Sequence, residues 1–469
     1  MTLGKVAGFA LGPIGTSALS LITVPLIAWN YSPDDVGRIA MLQVGISFCL
    51  LLFSLGLDQA YVRDYHLVVD KANLFRVAIR PGLALLIMTL VAVLICWPKS
   101  LSHLLFDRLS LIYSLLIGFC FLGAFISRFL SLMLRMQGRA VAFSISQILP
   151  KFLSLVVIVS CVFISDNHDF YQLLLANVIA FVSVAIYLAW LTREEWRNAD
   201  TPSAPNSSVK LLHFGGPLVF SGLAYWGIIS FDKIFLRHYG TYVDIGLYSV
   251  ATSFAGAAGV LQAIFSTIWA PKVYEMHGNG VEPSVVHRAS EIVLAVVVIV
   301  FCLMGMTSWV MVYILPIEYH AAHYLLTACM AFPLFYTLSE ATGIGVGVMK
   351  KSILAMIATL TSLFVNVMLN IFLVPNFGAS GAAAALAISF FSLVIIRTEF
   401  SVRVWFNFSR RKIYTYSFAV TAISVSNAIT RGEYNQFVAM LWLTLLVVVI
   451  VDYFDALKGV ARYIYSKTY

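Results

Sequence analysis

Lys151 is the residue whose type and place in this chain most invite chemistry, because it stands in an otherwise apolar run with Ser144, Gln147 and Ser154 at helical spacing. Residues so spaced share one helix face. Lys151 lies about nine residues, roughly 13 Å of helical rise, into that run. Snorkelling to the headgroups does not easily reach from there. An ammonium at such depth costs on the order of 2.5–3.5 kcal/mol on insertion scales, so it must face water, a counter-ion or an anionic ligand. A structural salt bridge is the alternative use. In the preceding run Arg128, Arg135 and Arg139 stand at i, i+7 and i+11, within about 20° of one line on a helix. That is a basic stripe entering the membrane, and Arg128 either faces an internal cavity or snorkels outward.

Other polar residues recur with the same regularity. Gln43, Ser47, Ser54 and Asp58 keep one face of the second run polar, and Asp58 opens the string DQAYVRDYH, where Arg63, Asp64 and His66 crowd the interface. Ion pairing at the interface and gating both fit that crowding. Thr359, Ser362, Asn366 and Asn370 stand at i, i+3, i+7 and i+11, so the two amides suit sugar hydroxyls and interhelical hydrogen bonds equally well. FDKIFLR places Asp232, Lys233 and Arg237 near the outer surface, where they can pair at a mouth, and Glu340 sits towards the other end of its run with Lys350 and Lys351 shortly after. The substrate-binding candidates are therefore Arg128, Lys151, Gln147, Ser144, Asn366, Asn370 and Gln43. Those for coupling or gating are Asp58, Arg63, Glu340, Asp232 and Lys233.

Enzyme chemistry has no such support. The six cysteines lie inside apolar runs without a CxxC pair, and no P-loop, HExxH or GxSxG string appears. The expectation is no catalytic residue, no metal and no cofactor, with a proton or sodium gradient as the candidate energy source.

The elements that must carry these residues are membrane helices. The chain is 61% hydrophobic and 11% charged, far from the soluble norm, and it is built of apolar runs about 18 to 25 residues long, the length that crosses a bilayer core. Fourteen such spans are predicted. The one long polar interval, TREEWRNADTPSAPNSSVK over Thr192–Lys210, divides an amino-terminal six-helix lobe, 1–191, from a second lobe, 211–400, and residues 401–469 supply two additional spans and a tail. FALGP followed by Asp35-Val36-Gly37 in the first lobe is echoed by HFGGP followed by Asp244-Ile245-Gly246 in the second, the punctuation an internal repeat leaves. With Gly12, Pro13, Gly15 and Pro25 inside it, the first span is expected to bend or break twice, as a cavity wall or gate does. A close-packed helix is the other reading.

The net charge of +8 is not gathered into a basic face, which argues against nucleic acid as a partner. It sorts by membrane side instead. Of the 30 Lys and Arg, Arg38, Lys99, Arg108, Arg237 and Arg431 fall on the far side and Arg128, Lys151 and Lys233 within spans, while the rest sit with Met1. By the positive-inside rule both termini are cytoplasmic.

The strings FALGPIGTSALSLITVPLIAW, YSPDDVGRIAMLQ, SLGLDQAYVRDYH, LRMQGRAVAFSISQILPK and HFGGPLVFSGLAYWGIISFDKIFLRHY resemble the polysaccharide-transporter family of O-antigen flippases, within the multidrug/oligosaccharidyl-lipid/polysaccharide exporter superfamily. The resemblance implies an all-α polytopic membrane protein of two pseudo-repeated six-helix bundles around a central cavity, alternating between inward-open and outward-open forms. It implies an undecaprenyl-pyrophosphate-linked oligosaccharide as substrate, turned over from the cytoplasmic to the periplasmic leaflet of a bacterial inner membrane. Partners would be membrane lipids and, beyond them, glycan polymerase and chain-length machinery. The family's cationic cavity would fall to Arg128 and Lys151, whereas the basic residue usual before SPDD is missing from AWNYSPDD. A multidrug or cation antiporter of the same superfamily is the nearest alternative, although its acidic residues are absent from the first span. A membrane glycan polymerase or ligase is a third, disfavoured by outer loops of about ten residues or fewer.

Overall fold

A computed structural model describes residues 3–164, 168–197, 208–280, 282–433, 435–454 and 458. Among them there are helices and no strand, as expected where backbone N–H and C=O groups must satisfy one another without water. Among the described residues, twelve helices are long and apolar enough to cross a membrane. The other two of the fourteen expected positions carry helices of similar length, Ser208–Tyr239 of 32 residues and Arg411–Ile429 of 19. The chain is an all-α polytopic membrane protein.

It divides into two compact units, Met1–Gly227 and Ile228–Tyr469, with the boundary inside the seventh span, Ser208–Tyr239. Most of the Thr192–Lys210 linker lies outside the described residues. Glycine contacts explain why the first half of the seventh span clusters with the amino-terminal unit. A Cβ built on Gly215 would stand 2.7 Å from the carbonyl carbon and oxygen of Gly56, itself at φ 69°, and one on Gly222 would stand 2.7 Å from Leu51. Trp226 Nε1 also donates to Ser47 Oγ at 2.9 Å. Two of the quoted motifs, SLGLDQAY and HFGGP, thus meet backbone to backbone. Gly215→Ala should push that contact apart at a cost of about 1–3 kcal/mol by overpacking, read as a fall in thermal stability of the purified protein.

In the amino-terminal unit the fourth span, Leu111–Met136, is the pillar, with half of its most apolar window buried. Its own Phe125 and Phe129 meet at a tilt with ring centroids 5.0 Å apart, and Phe106 meets Phe170 edge-on at 4.6 Å. The first span is one continuous helix, Leu3–Asn30, with Pro13 and Pro25 inside it. The two prolines do not break it. Each proline removes one N–H, and the helix nevertheless runs through both positions. Its glycines face the fifth span, Ala140–Ile164: a Cβ on Gly8 would meet Ala140, one on Gly12 would meet Gln147, and one on Gly15 would meet Ile148. Small residues along one seam let two membrane helices approach closely.

The repeated Asp-x-Gly turns have a physical cause. Ser32 caps the second span, Pro33–Ser54, by accepting from the Asp35 N–H at 3.2 Å. Thr241 caps the eighth, Tyr242–Gly278, by accepting from the Asp244 N–H, and Asp244 accepts in return from the Thr241 N–H at 3.1 Å. The repeat is a hydroxyl cap followed three residues later by aspartate, which satisfies donors that a helix start leaves open. In the carboxy-terminal unit the tenth and twelfth spans, Ile317–Thr342 and Ala379–Val404, form the core, each 72% buried over its most apolar window. The small-residue stretch Gly381–Ala385 allows the eleventh span, Ser352–Phe377, to lie close along the twelfth.

Candidate functional site

The polar stripe of the fifth span lies along its seam with the first. Ser144, almost wholly buried, donates to the carbonyl of Gly8 at 2.5 Å, and Gln147 packs over Gly12. One turn further on, Lys151 Nζ donates to the carbonyl of Thr16 at 3.3 Å and to Ser20 Oγ. Lys151 itself is exposed, and among the described residues no carboxylate pairs with it. Among the described residues, then, no structural salt bridge is seen at this lysine. An ammonium carries three donors. Two are directed at the first span, to the Thr16 carbonyl and the Ser20 hydroxyl.

The basic stripe of the fourth span does not act as a unit. Arg128 reaches Asp58 Oδ2 at 3.4 Å with half of its side chain exposed, Arg135 lies over the Phe143 ring at 5.9 Å, and Arg139 pairs with Glu195 at 3.3 Å. Arg63 is taken by its neighbour Asp64, Nε to Oδ1 at 2.5 Å. Gln43 Nε2 donates to Asn177 Oδ1 at 3.1 Å, joining the second span to the sixth, Phe170–Leu191. The second-span stripe is therefore also a helix-to-helix seam.

In the carboxy-terminal unit the asparagine face of the eleventh span is turned inward on one acid. Asn366 Nδ2 and Asn370 Nδ2 donate to Asp232 Oδ1 at 3.0 and 2.8 Å, and Tyr248 OH donates to Asp232 Oδ2 at 2.7 Å. Asp232, Asn366 and Asn370 are all fully buried. Of the two uses open to the amides, this conformation shows interhelical hydrogen bonding. Asp232 is the one charged residue in the buried class among the described residues, and Lys233 beside it lies on the same helix. Asp232 therefore closes a buried polar knot, with the Lys233 charge close by. Glu340 accepts from Ser266 Oγ, and Arg397 NH1 donates to Ser339 Oγ at 3.1 Å while lying over the Tyr336 ring at 5.5 Å.

Residues 3–277 match the family described as polysaccharide biosynthesis protein. This chain belongs to that family. The match takes in the amino-terminal unit from residue 3 onward and the start of the second, so it includes Lys151, Arg128, Asp58, Asp232 and Tyr248. Among curated proteins no sequence match is found. The fold is shared with the lipid II flippase MurJ in an inward closed conformation, at a TM-score of 0.71 and 15% identity over 96% of this chain and 99% of that one. It is shared with a multidrug resistance MATE family transporter of the MOP superfamily in its inward-facing conformation, at 0.55 and 15% identity over 88% and 99%.

For this member of the polysaccharide biosynthesis family, sequence spacing found the lysine, both asparagines and the buried aspartate as separate features. It missed Thr16 as the lysine's carbonyl partner, Tyr248 as the third donor to Asp232, and Arg397 beside Glu340. Only the arginine had a signal to follow, as a cation near the end of an apolar span. A tyrosine or a backbone carbonyl in a helix of this composition carries none.

Proposed function

We propose that this protein turns over a lipid carrying an oligosaccharide on a pyrophosphate, of the undecaprenyl-linked O-antigen kind, from the cytoplasmic to the periplasmic leaflet of a bacterial inner membrane by alternating access. The observation that carries this is Lys151, a cation exposed within a membrane helix and held there by the carbonyl of Thr16 and the hydroxyl of Ser20. A pyrophosphate is at least a dianion, and a fixed cation attracts it strongly where the dielectric is low. The polyprenyl tail can stay in lipid while the headgroup passes. Membership of a polysaccharide biosynthesis family and a fold shared with a lipid II flippase support the same substrate class.

Arg128 and its partner Asp58 join the proposal as a gate, an ion pair that closes one end of the amino-terminal unit. Coupling to a proton or sodium gradient is assigned to Asp232, whose complete burial sets it apart from Glu340 and Asp58. Both termini are placed in the cytoplasm, with glycan polymerase and chain-length proteins as the machinery that takes the product. The decisive experiment is leaflet transfer of a labelled pyrophosphate-linked oligosaccharide lipid in proteoliposomes. Transfer that needs the protein is the expected result. No transfer of several such lipids, with efflux of organic cations instead, sinks the reading and moves the protein to the antiporter branch.

A further inference from the structure

A second basic feature lies in the carboxy-terminal unit, remote in sequence from Lys151. A cavity of about 480 Å³ opens between the eighth, tenth and twelfth spans and the start of the eleventh, with Glu340, Arg397 and Lys350 on its wall. A second cavity of about 570 Å³ shares Lys350 with it and adds Lys351 and Arg403. Four cations thus border the two cavities against one carboxylate, and that carboxylate is engaged by Ser266.

The cations differ from their neighbours in what they hold. Nearby Arg410 pairs with Glu399 at 3.4 Å and Lys412 with Asp452 at 2.9 Å. Among the described residues Lys350, Lys351 and Arg403 have no carboxylate at ion-pair distance, while Arg397 lies near Glu340 on the same wall. Arg397 is fixed by Ser339 Oγ and the Tyr336 ring. Lys350 sits in the left-handed region at φ 55°, a conformation that glycine adopts most readily. Part of the lining is apolar: Leu354 and Phe400 line both cavities. Positive charge beside an apolar wall, at the end of a membrane helix, suits a phosphate whose ester carries an acyl chain. A soluble anion has no use for that wall.

We propose that these cavities hold the headgroup of an anionic phospholipid from the leaflet that the positive-inside rule makes cytoplasmic. Its phosphate lies between Lys350, Arg397 and Arg403, and its chain runs along Leu354 and Phe400. The site neither needs nor uses Lys151, so it stands or falls independently of the transported substrate.

Native mass spectrometry of the full-length protein in detergent, with phosphatidylglycerol or phosphatidylcholine added, tests it. Phosphatidylglycerol should bind about fivefold or more tightly, the order of one basic residue's attraction for an anionic lipid. The double variant Lys350→Gln/Arg403→Gln, which changes two exposed side chains and leaves Arg397 in place, should erase that preference. Arg410→Gln/Lys412→Gln removes the same charge from paired residues and should keep it. Equal binding of the two lipids, or equal loss in both double variants, overturns the site. Displacement of phosphatidylglycerol by inorganic pyrophosphate at matched concentration overturns its assignment to a lipid. Retention against pyrophosphate supports it.

Discussion

Lys151→Ala is expected to lower protein-dependent transfer of a pyrophosphate-linked oligosaccharide by about 10- to 100-fold, the equivalent of the roughly 1.5–3 kcal/mol carried by a hydrogen bond to a charged group. The protein should still insert, because removing an ammonium from an apolar span lowers the cost of insertion. The competing account is that Lys151 only ties the fifth span to the first through Thr16 and Ser20. The two accounts separate at Ser20→Ala. If the lysine is a tie, both substitutions should lower the melting temperature together and slow transfer together. If it is a binding group, Ser20→Ala should leave it held by the Thr16 carbonyl and leave transfer undiminished. Arg128→Ala should cost much less, under about threefold, because Arg128 is half exposed and already spent on Asp58, and exposed ion pairs are worth about 0–1 kcal/mol. Normal transfer by Lys151→Ala removes the cationic mechanism.

Much of this was readable from one sequence, and what was not has a common cause. Helix positions follow from run length, because a bilayer admits little else that a polar backbone can do. The depth of Lys151 followed from counting along one span. The asparagine face of the eleventh span was equally plain, yet its partner Asp232 stands 134 and 138 positions away, and spacing within a helix says nothing about the helix opposite. For the same reason the Ser144 and Gln147 stripe reads as a binding face although it packs on Gly8 and Gly12. In a membrane a polar residue serves a neighbouring helix as readily as a ligand. The first span misled in the other direction. Gly12, Pro13, Gly15 and Pro25 look like breaks when counted alone, but the glycines are there for the fifth span and the helix runs through. The unit boundary at Gly227 was hidden because the glycine contacts of the seventh span outweigh the polar linker before it.

Asp232 offers the second large effect, and two substitutions divide its roles. Asp232→Leu leaves the amides of Asn366 and Asn370 and the hydroxyl of Tyr248 without an acceptor in a fully buried place. Interhelical hydrogen bonds in membranes average about 0.6 kcal/mol each, which puts the loss at about 2 kcal/mol. The penalty for stranding buried polar groups raises that towards about 5 kcal/mol. A clear drop in melting temperature is expected, with little active protein left to assay. Asp232→Asn is nearly isosteric, and its carbonyl can still accept where Oδ1 did, so the fold should survive. What it cannot do is gain and lose charge. If Asp232 couples transport to a gradient, the asparagine variant should transfer substrate at one rate whether or not a proton or sodium gradient is imposed, while the parent protein accelerates. The buried geometry makes the argument stronger than for Glu340 or Asp58. A charge change at Asp232 must be met by its three donors, since no solvent reaches it, and those donors sit on the eighth and eleventh spans while the acid sits on the seventh. Neutralising it loosens one knot that ties three helices, which is how a single ion can bias a conformational equilibrium. Gradient stimulation that persists in Asp232→Asn would show the knot to be structural alone.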